Sequence, residues 1–382
     1  MQPRVAVSTA FFCQGFAFAS LITRIPAIQE AFGFSEGQLA LMLAAVPIVA
    51  GVGSVVAGTL AVRWHSAVLL RGCAVLVAIG LVVTGGATTA QSLPLLILAL
   101  ALMGFGLGSV DATMNMQGIG VQHLLGRSVM ASFHAWWSLA AILGALAASA
   151  AAATSLSLLG FFAVIAVVLV PVGLFASHSF VTEAAADEAE PDPFARSVPW
   201  RPLLVFFLAV VGAFVIDSSV SNWSALDLTD VLGASESVAA LAYAAYAVLL
   251  LIGRSVADRL VIRRGAPWLI VAGGFVAAAG LAVVALAPSA VVAIGGFAVV
   301  GLGISPILPL AFVAASEHDP AGTGIAVARV NVGNYVGFLL GAPLVGVIGE
   351  FSSLRWGFGV LVLVSLAIAA TAPAFGRAAT SR

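Results

Sequence analysis

The sequence predicts an all-α membrane protein with twelve transmembrane helices. Of its 382 residues 62% are hydrophobic and only 8% are charged, and the mean hydropathy is +1.16. Soluble domains are nearer to half apolar and a quarter charged, so this chain is too apolar for water. Its apolar residues fill about twelve segments of ~20 residues, the length that a helix needs to cross a ~30 Å hydrocarbon core. Continuous apolar runs without period-two alternation exclude a porin-like barrel.

Hydropathy and helix-breaking residues place the twelve helices in order along the chain. The first segment is retained as a span, not a cleaved signal peptide, because its apolar run continues to Arg24 and Pro26. The second ends near Arg63, and the fourth and eleventh contain glycines that favour close helix packing. The predicted helices are 5–26, 38–62, 68–90, 93–120, 128–152, 156–177, 202–224, 236–258, 267–288, 290–314, 323–348 and 356–375.

The distribution of arginine predicts that both termini are cytoplasmic. In that orientation the outer helix ends hold two arginines, Arg24 and Arg355, while Arg329 falls inside a span. The other twelve lie in inner loops or near inner helix ends: Arg4, Arg63, Arg71, Arg127, Arg196, Arg201, Arg254, Arg259, Arg263, Arg264, Arg377 and Arg382. This excess follows the positive-inside rule and predicts the orientation. All fifteen basic residues are Arg, and the absence of Lys suggests a GC-rich bacterial genome, so we expect a multi-pass protein of the bacterial plasma (inner) membrane.

An acidic, proline-containing segment divides the chain into two halves that repeat one another. We predict an N-terminal six-helix bundle over 1–177, a cytoplasmic linker over 178–200 and a C-terminal six-helix bundle over 201–382. The segment 104–108 recurs as 301–305, and 134–145 recurs as 331–342, both at an offset of 197. Arg63 and Arg259 end helices two and eight at an offset of 196. A shared register predicts a duplication with pseudo-two-fold symmetry.

Several function classes are excluded by composition. Fifteen basic residues against sixteen acidic ones leave no positive surplus for nucleic acid. The sequence contains no Lys, so a phosphate-binding loop and an ATP-driven pump are not expected. Cys13 and Cys73 lie in apolar runs, and no metal ligand set or other cofactor site is indicated. An enzyme is not expected, because His134 stands apart from any acid that would complete a catalytic cluster.

The duplicated twelve-helix pattern resembles the major facilitator superfamily over essentially the whole chain. That family carries the pattern Gly-x-x-x-Asp-Arg-x-Gly-Arg between helices two and three and again between helices eight and nine. Here the first copy keeps Gly58 and Arg63 but has Val62 at the Asp position and His65 at the second Gly position. The second copy keeps Asp258 and Arg259, followed by Arg263, Arg264 and Gly265. The resemblance implies a conformational lock at Arg63, Asp258 and Arg259, and the other interpretation is anchoring at the membrane surface.

Within the superfamily the chain resembles the fucose-proton symporter branch and its uncharacterised bacterial relatives. The similar segments are 11–32 in helix one, 106–115 in helix four, and Phe133 with His134 in helix five. Asp111 falls where that branch keeps its helix-four carboxylate, whereas Ile22 replaces its helix-one Asp. One of the two carboxylates of that branch is therefore missing, and neither its fucose specificity nor its coupling mechanism carries over to this chain.

Two acids inside spans are the candidates for proton coupling. Asp111 lies 12 residues before His123, hence about 18 Å from the inner end of its helix, and Asn115 follows one turn later as a substrate-binding candidate. Burial favours the neutral form of a carboxyl, so either acid could bind and release a proton as its exposure alternates. Asp217 lies 16 residues after Arg201, about 24 Å along helix seven. The alternatives are a hydrogen bond between helices for Asp111 and solvation near the outer mouth for Asp217.

The remaining polar groups inside spans are candidates for substrate binding. Three of them have a structural alternative. Arg329 could snorkel to the membrane surface, Trp223 could belong to the interfacial aromatic belt, and His134 could be neutral and hydrogen-bonded inside the bundle. Arg329 lies two residues before Asn331 and therefore points away from the face of Asn331 and Asn334. The candidates are Gln14, Asn115, His134, Trp137, Asn222, Trp223, Arg329, Asn331, Asn334 and Tyr335.

The sequence thus predicts a secondary active transporter that works by alternating access. The expected substrate is a small polar solute, with a sugar as one candidate, and the expected coupling ion is the proton. The other possibilities are a proton-driven drug or metabolite exporter and a membrane receptor without transport. Drug exporters of this superfamily carry the motif Gly-x-x-x-Gly-Pro-x-x-Gly-Gly in helix five. The exporter is less favoured because this chain has no proline between Trp137 and Ala150 in helix five. We expect a monomer in the lipid bilayer.

Overall fold

The computed structural model describes residues 2–154, 156–181, 198–319 and 321–380. Residues 182–197 of the predicted linker, with their acids and prolines, lie outside the described residues. The described chain is helical, with a π-helical turn at Asp227–Val231 and a 3₁₀ segment at Ala372–Thr380. Its α-helices are α1 Pro3–Thr23, α2 Ile25–Phe32, α3 Glu36–Trp64, α4 Ser66–Ala90, α5 Leu93–Leu125, α6 Met130–Ala153, α7 Leu158–Ser177, α8 Trp200–Leu226, α9 Glu236–Arg264, α10 Ala266–Leu286, α11 Ala290–Ile304, α12 Ile307–Ser316, α13 Ile325–Phe351 and α14 Leu354–Ala370.

Twelve segments of the described chain are long and apolar enough to cross a membrane, which confirms the predicted number. Several predicted helix ends shift by a few residues; for example, α5 ends at Leu125 and not at 120, and α9 ends at Arg264 and not at 258. The structure also differs from the predicted helices in three further respects. The first span ends at Arg24, where α2 begins just before Pro26, and the tenth span is divided into α11 and α12 before Pro306. A proline cannot donate the helical hydrogen bond to the preceding turn, which accounts for both interruptions. In addition, α8 continues into the π-helical turn.

One compact unit, called unit 1 below, comprises Met1–Gly126, Trp136–Val198 and Asp319–Arg329. Within it α4 packs against α5 and α7, α3 packs against α5, and α1 packs against α7. The first five residues of α13 belong to this unit, although the rest of α13 does not.

The other compact unit, unit 2, comprises Arg127–Ala135, Pro199–His318 and Val330–Arg382. Within it α10 packs against α11 and α14, α9 packs against α11, and α8 packs against α12 and α14. The partners of α9, α10 and α11 match those of α3, α4 and α5 in unit 1, so the repeat seen in the sequence is also a repeat of packing. The first six residues of α6 belong to unit 2.

Glycines set the helix crossings within each unit, as their positions predicted. A Cβ added to Gly108 in α5 would lie 1.8 Å from the carbonyl oxygen of Ala50 in α3. In unit 2 a Cβ on Gly301 in α11 would lie 2.2 Å from the carbonyl oxygen of Tyr246 in α9. Only glycine permits backbones to approach this closely inside a membrane span.

This packing predicts a position-dependent response to added volume. Gly108→Val should lower the melting temperature of the purified protein strongly, because its side chain meets backbone and overpacking costs about 1–3 kcal/mol or more. Gly86→Val is the matched control, since no neighbouring atom lies within 4 Å of a Cβ added to Gly86. Equal melting temperatures for the two variants in detergent would contradict this account of the crossing.

Candidate functional site

A polar cluster lies inside unit 2, between α8 and α9. The hydroxyl of Tyr246 donates a hydrogen bond to a carboxylate oxygen of Asp217. Tyr246 is fully buried and Asp217 is partly buried. The guanidinium of Arg254, which is 8% exposed, acts electrostatically on both side chains. A carboxylate and a guanidinium thus interact electrostatically within the second half of the chain.

Helix geometry explains how these residues meet. Asp217 lies 17 residues after the start of α8, about 26 Å along its axis, and Tyr246 lies 18 residues before the end of the antiparallel α9, about 27 Å from that end. Arg254 is eight residues further along α9, about 12 Å from Tyr246 along the axis. Side chains tilt toward the N-terminus of their helix, which is the direction along α9 from Arg254 to Tyr246.

Aromatic and imidazole rings complete the surroundings of this cluster. The ring of Tyr243 stacks on that of Tyr246 with centroids 5.7 Å apart, and 45% of Tyr243 is exposed. His134, at the start of α6, is buried, and its ring stacks on Phe312 at 6.1 Å. Arg254 also acts electrostatically on His134. Two residues predicted from the sequence, Asp217 and His134, are therefore brought to the same arginine.

The position of Arg254 corrects the count of arginines at inner helix ends. It lies ten residues before Arg264, which ends α9, and is buried, so it does not anchor a loop. The positive-inside excess becomes eleven against two and keeps its direction. The internal repeat of the sequence could have identified Arg254. At the offset of 196 that relates Arg63 to Arg259, Gly58 corresponds to Arg254. A glycine replaced by a charge within a span marks a costly and therefore informative position.

In unit 1, two predicted substrate-binding residues contact each other. The indole N–H of Trp137 in α6 donates to the side-chain oxygen of Gln14 in α1. A Cβ on the neighbouring Gly15 would lie 2.4 Å from the carbonyl oxygen of Trp137, so α1 and α6 cross closely here. Gln14 is 8% exposed. The pair presents one amide beside an aromatic ring.

Asp111 lies on α5 in unit 1 and is partly buried, between fully buried neighbours on both sides in the chain. Asn115 is fully buried, and its side-chain nitrogen donates to the backbone oxygen of Asp111 at 2.8 Å. This local bond orients the amide along α5, so Asn115 and Asp111 share one helix face as their spacing predicted.

On α13, the structure separates Arg329 from the asparagines. Asn334 donates to Asn331 at 2.8 Å, both are buried in unit 2, and Tyr335 beside them is partly buried. Arg329 belongs to unit 1, where it donates to the backbone oxygen of Val198. It lies four residues after the start of α13, about 6 Å along the helix, compared with the ~10 Å expected from the sequence.

Near the end of α8, Trp223 and Asn222 have different surroundings. The indole N–H of Trp223 donates to the backbone oxygen of Ala342 at 2.8 Å, and its ring lies against Gly346. Asn222 is exposed and donates to the backbone oxygen of Ser218 at 2.7 Å. Trp223 therefore joins α8 to α13 within unit 2, while Asn222 remains accessible.

Asp258, predicted as part of a lock, caps the N-terminus of α6 within unit 2. One carboxylate oxygen accepts from the Ser128 hydroxyl at 2.8 Å and from the Ala131 backbone N–H at 3.1 Å. The other accepts from the Ser132 backbone N–H at 2.8 Å. The first N–H groups of a helix lack helical partners and carry partial positive charge, so a carboxylate stabilises them well.

In unit 1 the equivalent part of α3 is held by close packing and not by a charged side chain. Val62 has no acceptor at the position of Asp258, and a Cβ on Gly58 would lie 2.4 Å from the Cβ of Ala328 on α13. The hydroxyl of Ser54 donates to the Ala328 backbone oxygen at 3.1 Å. Arg63 and Arg259 are exposed. The two copies of the family pattern therefore hold their partner helices by different means.

A buried charge that the sequence patterns did not single out lies at the far end of α8. Asp227 begins the π-helical turn and is fully buried, and neither carboxylate oxygen has a hydrogen-bond partner among the described residues. Arg355 acts on it electrostatically and donates to the backbone oxygen of Ala287 at 2.9 Å. Among the described residues no group of His, Cys, Asp and Glu is arranged to hold a metal ion.

The cap predicts a specific local change. Asp258→Ala should accelerate hydrogen exchange at the Ala131 and Ser132 amides roughly fivefold, the factor for the ~1 kcal/mol of a helix cap. The exposed acid Asp230, replaced by Ala, is the control. Exchange in the 127–135 peptide, measured by mass spectrometry, should change only for Asp258→Ala, and unchanged exchange there would show that the cap contributes nothing.

Comparison with known proteins gives consistent matches. The model of the Major Facilitator Superfamily matches residues 7–323 and 205–380. An uncharacterised MFS-type transporter of Yersinia pestis is 30% identical over 388 residues, covering 98% of this chain and 96% of the relative. The E. coli fucose:proton symporter FucP has a TM-score of 0.81 at 16% identity, covering 98% of each chain. The proton:xylose symporter XylE has a TM-score of 0.71 at 14% identity, covering 96% of this chain and 94% of its own.

Proposed function

The chain belongs to the Major Facilitator Superfamily, and on that premise we propose that it is a proton-coupled carrier of a small polar solute. Membership makes it a multi-pass membrane transporter and not an enzyme. Transport proceeds by alternating access, with 1–177 and 201–382 as the two moving halves and a monomer as the working form. The arginine bias supports cytoplasmic termini, and the absence of Lys, typical of GC-rich bacterial genomes, supports a bacterial plasma membrane.

The observation that carries the proposal is the cluster of Asp217, Tyr246 and Arg254. An ionised carboxylate within a span is costly unless it is paired, and here a hydroxyl and a guanidinium both stabilise it. When Asp217 takes a proton, its attraction to Arg254 is lost, so protonation changes the interaction energy between α8 and α9. Such a change is what couples proton binding to a conformational equilibrium.

Asp111 is the second coupling candidate, in the first half. It is partly buried between buried neighbours on α5 and shares a helix face with Asn115. Substrate binding is assigned to Gln14 and Trp137 in unit 1 and to His134, Asn331, Asn334 and Tyr335 in unit 2. Asn222, Trp223 and Arg329 remain candidates, although Trp223 and Arg329 already donate to backbone oxygens.

Sugars are one candidate class of solute. FucP is a fucose:proton symporter and XylE a proton:xylose symporter, and both share this fold. Amides beside an aromatic ring, as in Gln14 with Trp137, suit hydroxyl-rich ligands because the amide bonds hydroxyls and the ring covers apolar C–H faces.

The proposal predicts the outcome of a reconstituted transport assay. In proteoliposomes with an imposed pH gradient, Asp217→Asn and Asp111→Asn should each reduce gradient-driven uptake at least about tenfold, because neither amide can carry a proton. Exchange of solute without a gradient should persist. Glu350→Gln is the control, since Glu350 is exposed near the end of α13.

Two results would count against the proposal. If the uptake of every solute in a broad panel is independent of the pH gradient, transport is not coupled to protons. Uptake that responds to the gradient but is unaffected by both Asn variants would remove these two acids from the coupling role.

A further inference from the structure

An apolar groove in unit 1 runs along α4 and α7 and has an arginine at one end. We propose that this groove binds one anionic phospholipid of the inner leaflet, with an acyl chain along the groove and the phosphate at Arg71. The inference goes beyond the proposed function, because it requires neither a particular solute nor a proton. It is argued from unit 1 alone.

The groove has the dimensions of one lipid leaflet. It follows α4 over 70–81, about 17 Å, and α7 over 165–177, about 18 Å, and it is bounded on α1 by 10–17. Half of a ~30 Å hydrocarbon core is about 15 Å, so the groove is as deep as a single leaflet. An acyl chain that lies parallel to the helices would therefore follow its full length.

The wall of the groove presents hydrocarbon and few hydrogen-bonding groups. Its polar side chains other than Arg71 are Gln14 and Ser177. The side-chain oxygen of Gln14 accepts from the indole of Trp137, and the Ser177 hydroxyl donates to the backbone oxygen of Leu174 at 2.6 Å. None of the described side chains that line the groove is acidic. A polar solute would find few partners there, whereas an acyl chain gains by leaving water and needs none.

The space in the groove arises from the way α4 and α7 cross. A Cβ added to Gly85 of α4 would lie 2.5 Å from the Cα of Leu159 on α7, so the two helices touch closely there. Gly173, about four turns further along α7, lies in the wall of the groove. A Cβ added to Gly173 would meet no atom within 4 Å. The groove is therefore open at Gly173, where a chain of lipid can lie against the helix backbone.

Arg71 provides a positive charge at the end of the groove. It is partly exposed and lies five residues after Ser66, the start of α4, which the proposed orientation places at the cytoplasmic surface. Its Nη2 donates to the backbone oxygen of Ser177 at 2.7 Å, while its buried Nε has no hydrogen-bond partner among the described residues. A guanidinium carries five N–H donors, so one backbone oxygen leaves others available. A phosphate matches both the geometry and the charge of this group.

The charge and the apolar wall are continuous, because Arg71 and Ser177 themselves line the groove. A phospholipid has the same order of groups, with the phosphate at the membrane surface and the acyl chains below it. A free phosphate would use the arginine and leave the groove empty, and a lipid without net charge would use only the groove. Basic pockets between spans on the cytoplasmic side bind the head groups of anionic lipids. An anionic phospholipid is therefore the occupant that uses both features.

Lipid binding to the delipidated full-length carrier tests the inference. Native mass spectrometry measures the first bound lipid for palmitoyl-oleoyl phosphatidylglycerol and for phosphatidylcholine with the same chains. We expect the anionic lipid to bind about fivefold more tightly, the factor for one basic residue at an anionic surface. Dihexanoyl phosphatidylglycerol has the same head group and short chains, and it should bind at least about tenfold more weakly because it buries fewer methylene groups. Inorganic phosphate alone should not raise the melting temperature.

Substitutions at Arg71 test the head-group contact. Arg71→Gln should abolish the preference for the anionic lipid, because the amide carries no charge. Arg71→Lys should recover part of the preference, which a role limited to capping the end of α7 would not explain. Arg201→Gln is the control and should keep the preference, since Arg201 is exposed at the start of α8.

A substitution in the wall tests the chain contact. Gly173→Phe should weaken the binding of both long-chain lipids at least about fivefold, because its ring occupies the groove, and larger apolar groups compete for the same space. Gly86→Phe is the matched control, since Gly86 lies on α4 outside the groove and also has no neighbouring atom within 4 Å of an added Cβ. The Gly173→Phe result stands by itself if Arg71→Gln fails to fold.

The inference is overturned if the two long-chain lipids bind equally, if the preference survives Arg71→Gln, or if Arg201→Gln removes it to the same extent. It is also overturned if Gly173→Phe binds both lipids as the wild type does. Stabilisation by inorganic phosphate alone would replace the lipid site with a site for a free anion. These outcomes leave the proposed function intact, because the uptake assay tests that function separately.

Discussion

A charge inside hydrocarbon must have a partner, and this requirement organises the second half of the molecule. Asp217 on α8 accepts a hydrogen bond from Tyr246 on α9 and interacts electrostatically with Arg254 on the same helix. Because the pairing depends on the carboxylate being ionised, the same contact that stabilises the helices responds to a proton. In the proposed function, the physical cost of burying charge is what couples the proton to transport.

The two halves show how a duplicated fold can diverge at equivalent positions. In unit 1 the α3 crossing is made by Gly58 packed against Ala328, with no acid at Val62. In unit 2 the equivalent region carries Arg254 and the capping carboxylate of Asp258. Unit 1 thus uses close packing where unit 2 uses charged side chains, and only a charged side chain can respond to protonation.

Backbone approach is the condition on which these polar sites depend. Gly108 and Gly301 bring helices into contact at distances that no other residue allows, and this fixes the relative depth of side chains on neighbouring helices. Gly15 does the same beside Trp137, where the indole reaches Gln14. Without such contacts the few polar groups of each unit would not meet, because long apolar surfaces alone specify no register.

The twelve spans and the family were predictable from sequence, because hydropathy and a repeated register act along the chain and need no tertiary contact. Asp111 and Asp217 were found in the same way, as departures from an apolar background, whereas Asp227 was not. The burial of Arg254 was not predicted from the sequence. Whether this arginine anchors a loop or is a buried charge depends on where α9 ends, and only the structure places that end at Arg264. The partners of Asp217, Asp227 and Asp258 were also decided only by the tertiary structure, because hydrogen bonds between distant helices depend on which faces meet.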